Sequence, residues 1–319
     1  MTSREPAGAD APVGGPVAIV TGAARGIGAA TVLALAERGW SILAVDLAKD
    51  DPALPYPMAS AADLAETVRV AERHGAAWTD ERQSEATERG GKTAPGSGLG
   101  RWAGPLPSGG SGGSSPRACT VVGYYADVRD QAALDAVVAE AEERWGGLDA
   151  AIAAAGVIAG GAPLWELPPE QEQAVLDVDL GGVIKLARAA IPALLRRPQP
   201  RSGRFLAVAS AAATSGMPTI AAYCAAKAGV AGLIRALGAE LGGTGVTANA
   251  VSPGSTDTAM LAESARLYGL ADPSSFASQQ PLGRLLDPAE IAAVLAFLAG
   301  PGSSAMTGSV IPVDGGLAL

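Results

Sequence analysis

Short apolar runs alternate along the chain with longer stretches of helical periodicity. Val17–Val20, Ser41–Val45, Val121–Tyr125, Leu148–Ala153, Phe205–Ala209, Val246–Val251 and Val310–Val313 read as strands. Helices are predicted over Gly26–Arg38, Gln131–Trp145, Glu170–Arg196 and Ala222–Leu241, with another after the second strand that ends near His74. The strands are apolar without alternation, as strands covered on both faces must be. Strand–helix alternation then requires right-handed crossovers and a parallel sheet. The expected fold is α/β: a single-domain, Rossmann-type doubly wound parallel sheet of about seven strands with helices on both faces, over residues 15–319.

Two segments stand outside this pattern. Residues 1–14 are polar and rich in Pro and Gly, and are expected to form a flexible tail. Residues 49–118 form an insertion whose part Gly104–Pro116 is almost wholly Gly, Ser and Pro. Such a stretch buries too little apolar surface to offset its ordering entropy, so disorder is expected there. Trp78 and Trp102 flank it as candidate anchors.

The first strand runs into Thr21-Gly22-Ala23-Ala24-Arg25-Gly26-Ile27-Gly28 and then a helix. Glycines at this spacing let a backbone turn tightly and approach a diphosphate, which the helix N-terminus then favours. Spacing alone fits an ordinary strand-to-helix turn as well. Context narrows the choice, because Asp46, followed by Leu47, closes the next strand. A carboxylate there suits ribose hydroxyls and repels a 2′-phosphate, which favours NAD over NADP. Arg25 argues the other way, since its side chain is long enough to reach a 2′-phosphate. Asp127-Val128 ends the third strand, where the aspartate either meets an adenine edge or caps the next helix.

Ser210 ends the fifth strand, and Tyr223 and Lys227 lie at i, i+4 on one face of the helix that follows. An ammonium beside a phenol favours the phenolate and lowers its pKa toward working pH. A hydroxyl from a strand end is placed to orient a substrate oxygen. Such an apparatus moves a proton while a nicotinamide gives or takes a hydride. Tyr-x-x-x-Lys alone also describes a half-buried tyrosine whose lysine reaches solvent. Ser210, the glycine cradle and Asp46 together favour the catalytic reading.

Composition removes other classes. Of the 319 residues 48% are hydrophobic and 17% charged, enough apolar material for a large core. A net charge of −9 is a poor match to nucleic acid. Cys119 and Cys224 follow no metal spacing and are expected to be small buried apolar residues. His74 is the single histidine, so a His-based triad is excluded unless it serves, and no metal site is expected. Phe205–Ala226 is uncharged and long enough to span a membrane, but Ser210, Thr214, Ser215, Gly216 and Pro218 interrupt it. A strand, loop and helix start fit better. The opening residues lack the apolar stretch of a signal peptide, so a cytoplasmic location is expected.

The chain resembles the short-chain dehydrogenase/reductases over nearly its whole length. The resemblance rests on Thr21 to Gly28, Asp46, Asp127-Val128, Leu148-Asp149 leading into Ala155-Gly156, Ser210, Tyr223-Cys224-Ala225-Ala226-Lys227, Asn249 to Gly254, and Val313-Asp314-Gly315-Gly316. It implies Tyr223 as general acid/base, Lys227 binding the nicotinamide ribose, and Ser210 orienting the substrate. It also implies Pro253, Gly254, Thr256 and Thr258 at the nicotinamide, and backbone contacts to the cofactor from Ala154, Ala155 and Gly156. Two departures stand out. Ala153-Ala154-Ala155-Gly156 replaces the usual Asn-Asn-Ala-Gly, whose amides tie neighbouring strands. The family's catalytic asparagine falls on Asp179, which keeps an acceptor, loses the amide donor and puts negative charge near Lys227.

Asp51 to Met58 and Asp63 to Val68 resemble the insertion of the mycofactocin-coupled, carveol-dehydrogenase-like subgroup. That resemblance implies a cover over retained NAD and electron transfer to mycofactocin; the alternative for this segment is a surface loop that never touches NAD. Residues 76–117 go beyond the subgroup's pattern. The expected substrate is a small hydrophobic secondary alcohol or ketone. Its pocket is expected to be lined by the segment after Gly156, including Trp165, and by Met260, Leu261, Leu267, Tyr268 and Phe276, though packing explains the same residues equally well. A homotetramer is implied, with Ala187–Ala193 and Ala225–Gly238 allowing close helix packing. Two other readings stay open: a conventional reductase with exchangeable NADH, and a non-catalytic NAD-binding sensor or scaffold suggested by Asp179 and the absent asparagines.

Overall fold

The computed structural model describes residues 15–88 and 119–319, with side chains up to Gly75 in the first stretch. The tail at 1–14, Trp102 and the segment 104–116 lie outside the described residues, as does the side chain of Trp78. The strands are β1 (Val17–Thr21), β2 (Ser41–Asp46), β3 (Val121–Tyr125), β4 (Ala150–Ala153), β5 (Arg204–Val208), β6 (Thr247–Pro253) and β7 (Val310–Val313). They form one sheet in the order β3-β2-β1-β4-β5-β6-β7, with every pairing parallel. The helices are α1 (Gly26–Ala36), α2 (Ala61–Glu88), α3 (Gln131–Trp145), α4 (Pro169–Leu176), α5 (Gly182–Arg196), α6 (Ala221–Glu240), α7 (Ala259–Leu267) and α8 (Pro288–Ala299). The doubly wound fold is as expected.

The lack of alternation within strands has its cause in two cores. Ile19, Leu43, Ala151 and Phe205 face Leu134, Leu186 and Ile234 of α3, α5 and α6. Their neighbours Ala18, Ile42, Ile152 and Leu206 face Leu35, Leu64 and Leu295 of α1, α2 and α8. Most strand positions are therefore apolar. The strand order reverses between β1 and β4, and a crevice opens there beyond their carboxyl ends, the usual ligand position in such sheets.

Several expectations need correction. The helix after β2 does not end near His74; α2 continues to Glu88. The sequence from 79 to 88 is rich in charged and polar residues, so the apolar periodicity that marks a packed helix fades before the helix ends. The helix expected over 170–196 is divided by a π-helical turn at Asp177–Gly181. Helices α7 and α8 were not foreseen, although Asp287 and Glu290 form a capping box around Pro288, a readable start signal. Ala187, Ala190 and Ala193 are buried in the chain's own core, whereas Ala225, Ala228 and Gly232 of α6 remain exposed. Cys119 and Cys224 are free and half-buried rather than buried. Cys119 donates to the Trp40 carbonyl at 2.7 Å, and burial pushes its thiol up to about 11. Among the described residues no side-chain cluster suits a metal ion, and no helix is long and apolar enough to cross a membrane.

Candidate active site

The turn after β1 shows why its glycines are needed. Gly22 has φ +69°, and a Cβ there would sit 2.6 Å from Ala155 N. A Cβ on Gly28 would sit 1.9 Å from Gly22 O. Only bare backbone lets β1, β4 and α1 approach this closely. The first turn of α1 holds no acidic residue, and no side chain caps it. Its free N–H groups therefore open toward the crevice, as an anion requires. Gly26, with φ +57°, lies against Thr258 across the pocket mouth. These features fit a dinucleotide diphosphate.

Asp46 ends β2, where its carboxylate accepts from Ala24 N and Ala48 N, both at 3.0 Å. Arg25, the residue that argued for a 2′-phosphate, instead donates to Pro57 O at 3.2 Å. Asp127 is held by Arg129, whose Nη2 lies 2.7 Å from its Oδ2 and whose Nη1 reaches Asp51 Oδ2 at 2.6 Å. The cap on α3 is Asp130, which accepts from Ala132 N and Ala133 N, so Asp127 does not serve there. The strand tie lost with the asparagines is supplied by Thr21, whose Oγ1 accepts from Ala154 N and Ala155 N at 3.2 and 3.3 Å.

One pocket is lined by Gly22, Arg25, Gly26, Ile27, Gly28, Asp46, Leu47, Asp127, Val128, Ala154, Ala155, Gly156, Ser210, Tyr223, Lys227, Pro253, Gly254, Thr256 and Thr258. Of the residues expected to be catalytic or to hold the cofactor, Asp179 alone stands behind its wall, fully buried. Met217, Ile220, Met260, Leu261, Tyr268 and Phe276 give one end an apolar lining. Trp165 and Leu267 do not line it. Trp165 is 85% exposed, and Leu267 packs against Gly161.

Ser210 follows β5 by two residues in extended backbone, and its Oγ accepts from Ala212 N at 3.1 Å. The Tyr223 hydroxyl donates to Met260 Sδ at 3.9 Å. Lys227 donates from Nζ to Val208 O at 3.1 Å and sits 5.5 Å from the centre of the Tyr223 ring. Asp179 accepts from Val157 N through Oδ1 at 2.8 Å, and its Oδ2 is 3.2 Å from Lys227 Nζ. Burial raises the Tyr223 pKa; Lys227 and Ser210 pull it down and Asp179 pushes it up. The expected lowering by lysine is thus present but outweighed in this arrangement. Burial opposes the charge on Lys227 while Asp179 and Tyr223 favour it, and the result is a raised pKa.

Two more residues contribute, Tyr56 from the segment expected to cover NAD and Gln280, which went unseen in the sequence. Tyr56 reaches in from the segment after β2 and accepts from Ile158 N at 3.0 Å. Burial raises the pKa of this phenol strongly, keeping it neutral. Gln280, from beyond α7, accepts from Ser255 N at 2.9 Å and donates to Ser255 O at 3.2 Å and Arg284 O at 2.7 Å. It fixes the loop carrying Gly254, where a Cβ would meet its Oε1 at 2.2 Å. The proline signature around Tyr56 was visible; nothing local marks Gln280.

Two family models match, one described as short chain dehydrogenase over residues 16–70 and one as enoyl-(acyl carrier protein) reductase over residues 114–318. The chain belongs to the short-chain dehydrogenase/reductase family. Among family members it is 32% identical over 309 residues to an uncharacterized NAD-dependent oxidoreductase of Mycobacterium tuberculosis, covering 95% of each. It is 33% identical over 302 residues to the cis-4-hydroxycyclohexanecarboxylate dehydrogenase of Sinomonas cyclohexanicum, covering 94% of this chain and 95% of that one. The carveol dehydrogenase of Mycobacterium avium, solved with NAD, superposes with a TM-score of 0.77 at 28% identity, over 96% of this chain and 98% of that one.

Proposed function

We propose that this short-chain dehydrogenase/reductase interconverts a small hydrophobic secondary alcohol and its ketone, using NAD that stays bound under a cover. The enzyme is an NAD-dependent oxidoreductase acting on CH–OH groups. Gly22, Arg25, Gly26, Ile27 and Gly28 would hold the diphosphate. Asp46 and Leu47 would hold the adenosine ribose, and Asp127 and Val128 the adenine edge. Ala154, Ala155, Gly156, Lys227, Pro253, Gly254, Thr256 and Thr258 would border the nicotinamide half. Bound NAD supplies the acceptor, or when reduced the donor, of a hydride at the substrate carbon. In oxidation Tyr223 Oη takes the hydroxyl proton, Ser210 Oγ holds the same oxygen, and Lys227 stabilises the phenolate that accepts it. In reduction Tyr223 gives that proton back. The apolar lining from Met217 to Phe276 excludes water and suits a hydrophobic alcohol, and relatives named for cis-4-hydroxycyclohexanecarboxylate and carveol act on alcohols too.

The observation that carries retention is the triple anchoring of the segment from Asp51 to Ala59. Asp51 is tied to Arg129, Pro57 to Arg25, and Tyr56 to Ile158 N, and Asp51, Tyr56, Met58 and Ala59 all line the pocket. A cover pinned at three places adds contacts and slows release. Retained nucleotide then needs an external carrier to reset it, and the resemblance of residues 51–68 makes mycofactocin that carrier. A homotetramer, with the exposed small residues of α6 at an interface, completes the reading, and light scattering reads its mass. The test is to purify the protein without added nucleotide, denature it and assay what is released, while following exchange against labelled NAD. Stoichiometric, non-exchanging NAD(H) is expected. Free exchange overturns retention and leaves a conventional reductase. Absent nucleotide binding, or unchanged cellular function of Tyr223→Phe, overturns the enzyme itself in favour of a sensor or scaffold.

A further inference from the structure

Asp179 is 0% exposed and stands in the π-helical turn between α4 and α5. Such turns redirect side chains by inserting one residue into a helix and recur at functional sites. Its Oδ1 is satisfied by Val157 N, while Oδ2 has Lys227 Nζ at 3.2 Å and no other polar partner. The ammonium is equally enclosed, with Val208 O its one hydrogen-bond acceptor among the described residues. An amide in this position would leave Lys227 a net positive charge beside Tyr223. A carboxylate makes the pair neutral overall.

We infer that Asp179 is a positioning residue for the reaction: its buried carboxylate anchors the Lys227 ammonium and cancels much of the positive charge Tyr223 would otherwise feel, so that alcohol oxidation begins only at higher pH than an amide here would allow. The inference rests on the catalytic reading of Tyr223. Titratable and polar groups face the pair from the elements packed around it. Helix α6 contributes Tyr223, Lys227 and Cys224, the strand end after β5 contributes Ser210, and the segment after β2 contributes Tyr56. Arg25 and Glu263 act at longer range through Tyr56 and oppose each other in sign. None of these supplies a second carboxylate or ammonium in contact with the pair. The charge Tyr223 senses is therefore governed by Lys227 and Asp179.

The test compares Asp179→Asn and Asp179→Glu with the unmodified protein by two readouts. The first is ultraviolet titration of tyrosinate in the protein as purified, taken as a difference against Tyr223→Phe so that Tyr223 is isolated. The second is the pH profile of kcat/KM for oxidation of a secondary alcohol. Asp179→Asn should move the Tyr223 titration and the acidic, ascending limb of the profile down by about one pH unit or more. Oxidation at neutral pH should rise by about tenfold for each unit. Asp179→Glu keeps the charge and should stay close to the unmodified protein. If Asp179→Asn lowers activity equally at every pH and leaves the tyrosinate titration in place, the inference fails and the aspartate is structural. If Asp179→Asn does not fold, a shifted profile in Asp179→Glu alone also overturns it. An unmodified protein inactive on all alcohols would sink the catalytic reading, while the titration would still judge the pair.

Discussion

The two ends of the pocket are made by different means. At the diphosphate end backbone does the work: Gly22 and Gly28 sit where any Cβ would overlap a neighbouring main chain, and α1 presents N–H groups that nothing caps. At the reacting end side chains do it, through a phenol, an ammonium and a carboxylate packed together out of water. A backbone cradle tolerates little change, because any added atom overlaps a neighbouring main chain and forces it to shift. A buried charge cluster is adjustable, because one atom exchanged between amide and carboxylate alters every neighbour.

The sharpest way to break the reacting end is Tyr223→Phe. On the proposed mechanism it removes the group that exchanges a proton with the substrate oxygen, and turnover should fall by about 10²–10⁴-fold. Nucleotide content should not change, because the cradle is untouched. Loss of NAD from this variant would show that the two ends are not separable.

Breaking the other end reverses the pattern. Gly28→Ala puts a Cβ 1.9 Å from Gly22 O. Overpacking of this kind costs about 1–3 kcal/mol, and here it acts on the diphosphate turn. Purified protein should contain little nucleotide and melt at lower temperature. Full NAD content would mean that the turn has room the glycine geometry denies.

Between the two ends lies the cover, and Tyr56→Phe measures its contribution. The variant keeps the ring but leaves Ile158 N–H without its acceptor. An unpaired buried donor costs about 1–3 kcal/mol. If that cost falls on the closed cover, nucleotide exchange should quicken by roughly tenfold or more, with the pH profile unmoved. An unchanged exchange rate would place the barrier to release at the Arg129 and Arg25 anchors.

How far each end was legible in the sequence follows from the same contrast. The glycines, Asp46 and the strand runs were readable because local sterics and two-sided burial dictate residue type position by position. Ser210, Tyr223 and Lys227 were readable from their spacing and their places at strand end and helix. The state of Tyr223 was not, because it depends on burial and on Asp179, which approaches from another helix through a π-helical turn that no periodicity announces. Gln280 was invisible for the same reason, since its amide bridges Ser255 and Arg284 across a loop. The loss of two asparagines looked disruptive, yet Thr21 restores the tie with a hydroxyl already inside the glycine motif. The helix starts at Pro288 and Ala259 were written in their caps, Asp287 and Thr258, and periodicity alone passed over them.

The smallest effect is expected at Trp165, which sequence reasoning placed in the substrate pocket. A large aromatic beyond Gly156 is a natural candidate for stacking on an apolar substrate, but the 3₁₀ turn Leu164–Glu166 carries it outward, 85% exposed. The lining instead comes from Met260, Leu261, Tyr268 and Phe276, with Tyr268 and Phe276 edge to face at 6.0 Å. Removing an exposed side chain that touches no special feature changes stability by less than about 0.5 kcal/mol. Trp165→Ala should accordingly leave melting temperature, nucleotide content and KM for a hydrophobic alcohol close to their starting values, whereas Phe276→Ala should raise KM. A KM that rises for Trp165→Ala alone would mean that this turn folds back over the substrate. The reacting end would then be closed by a second moving segment, opposite the one that Tyr56 pins.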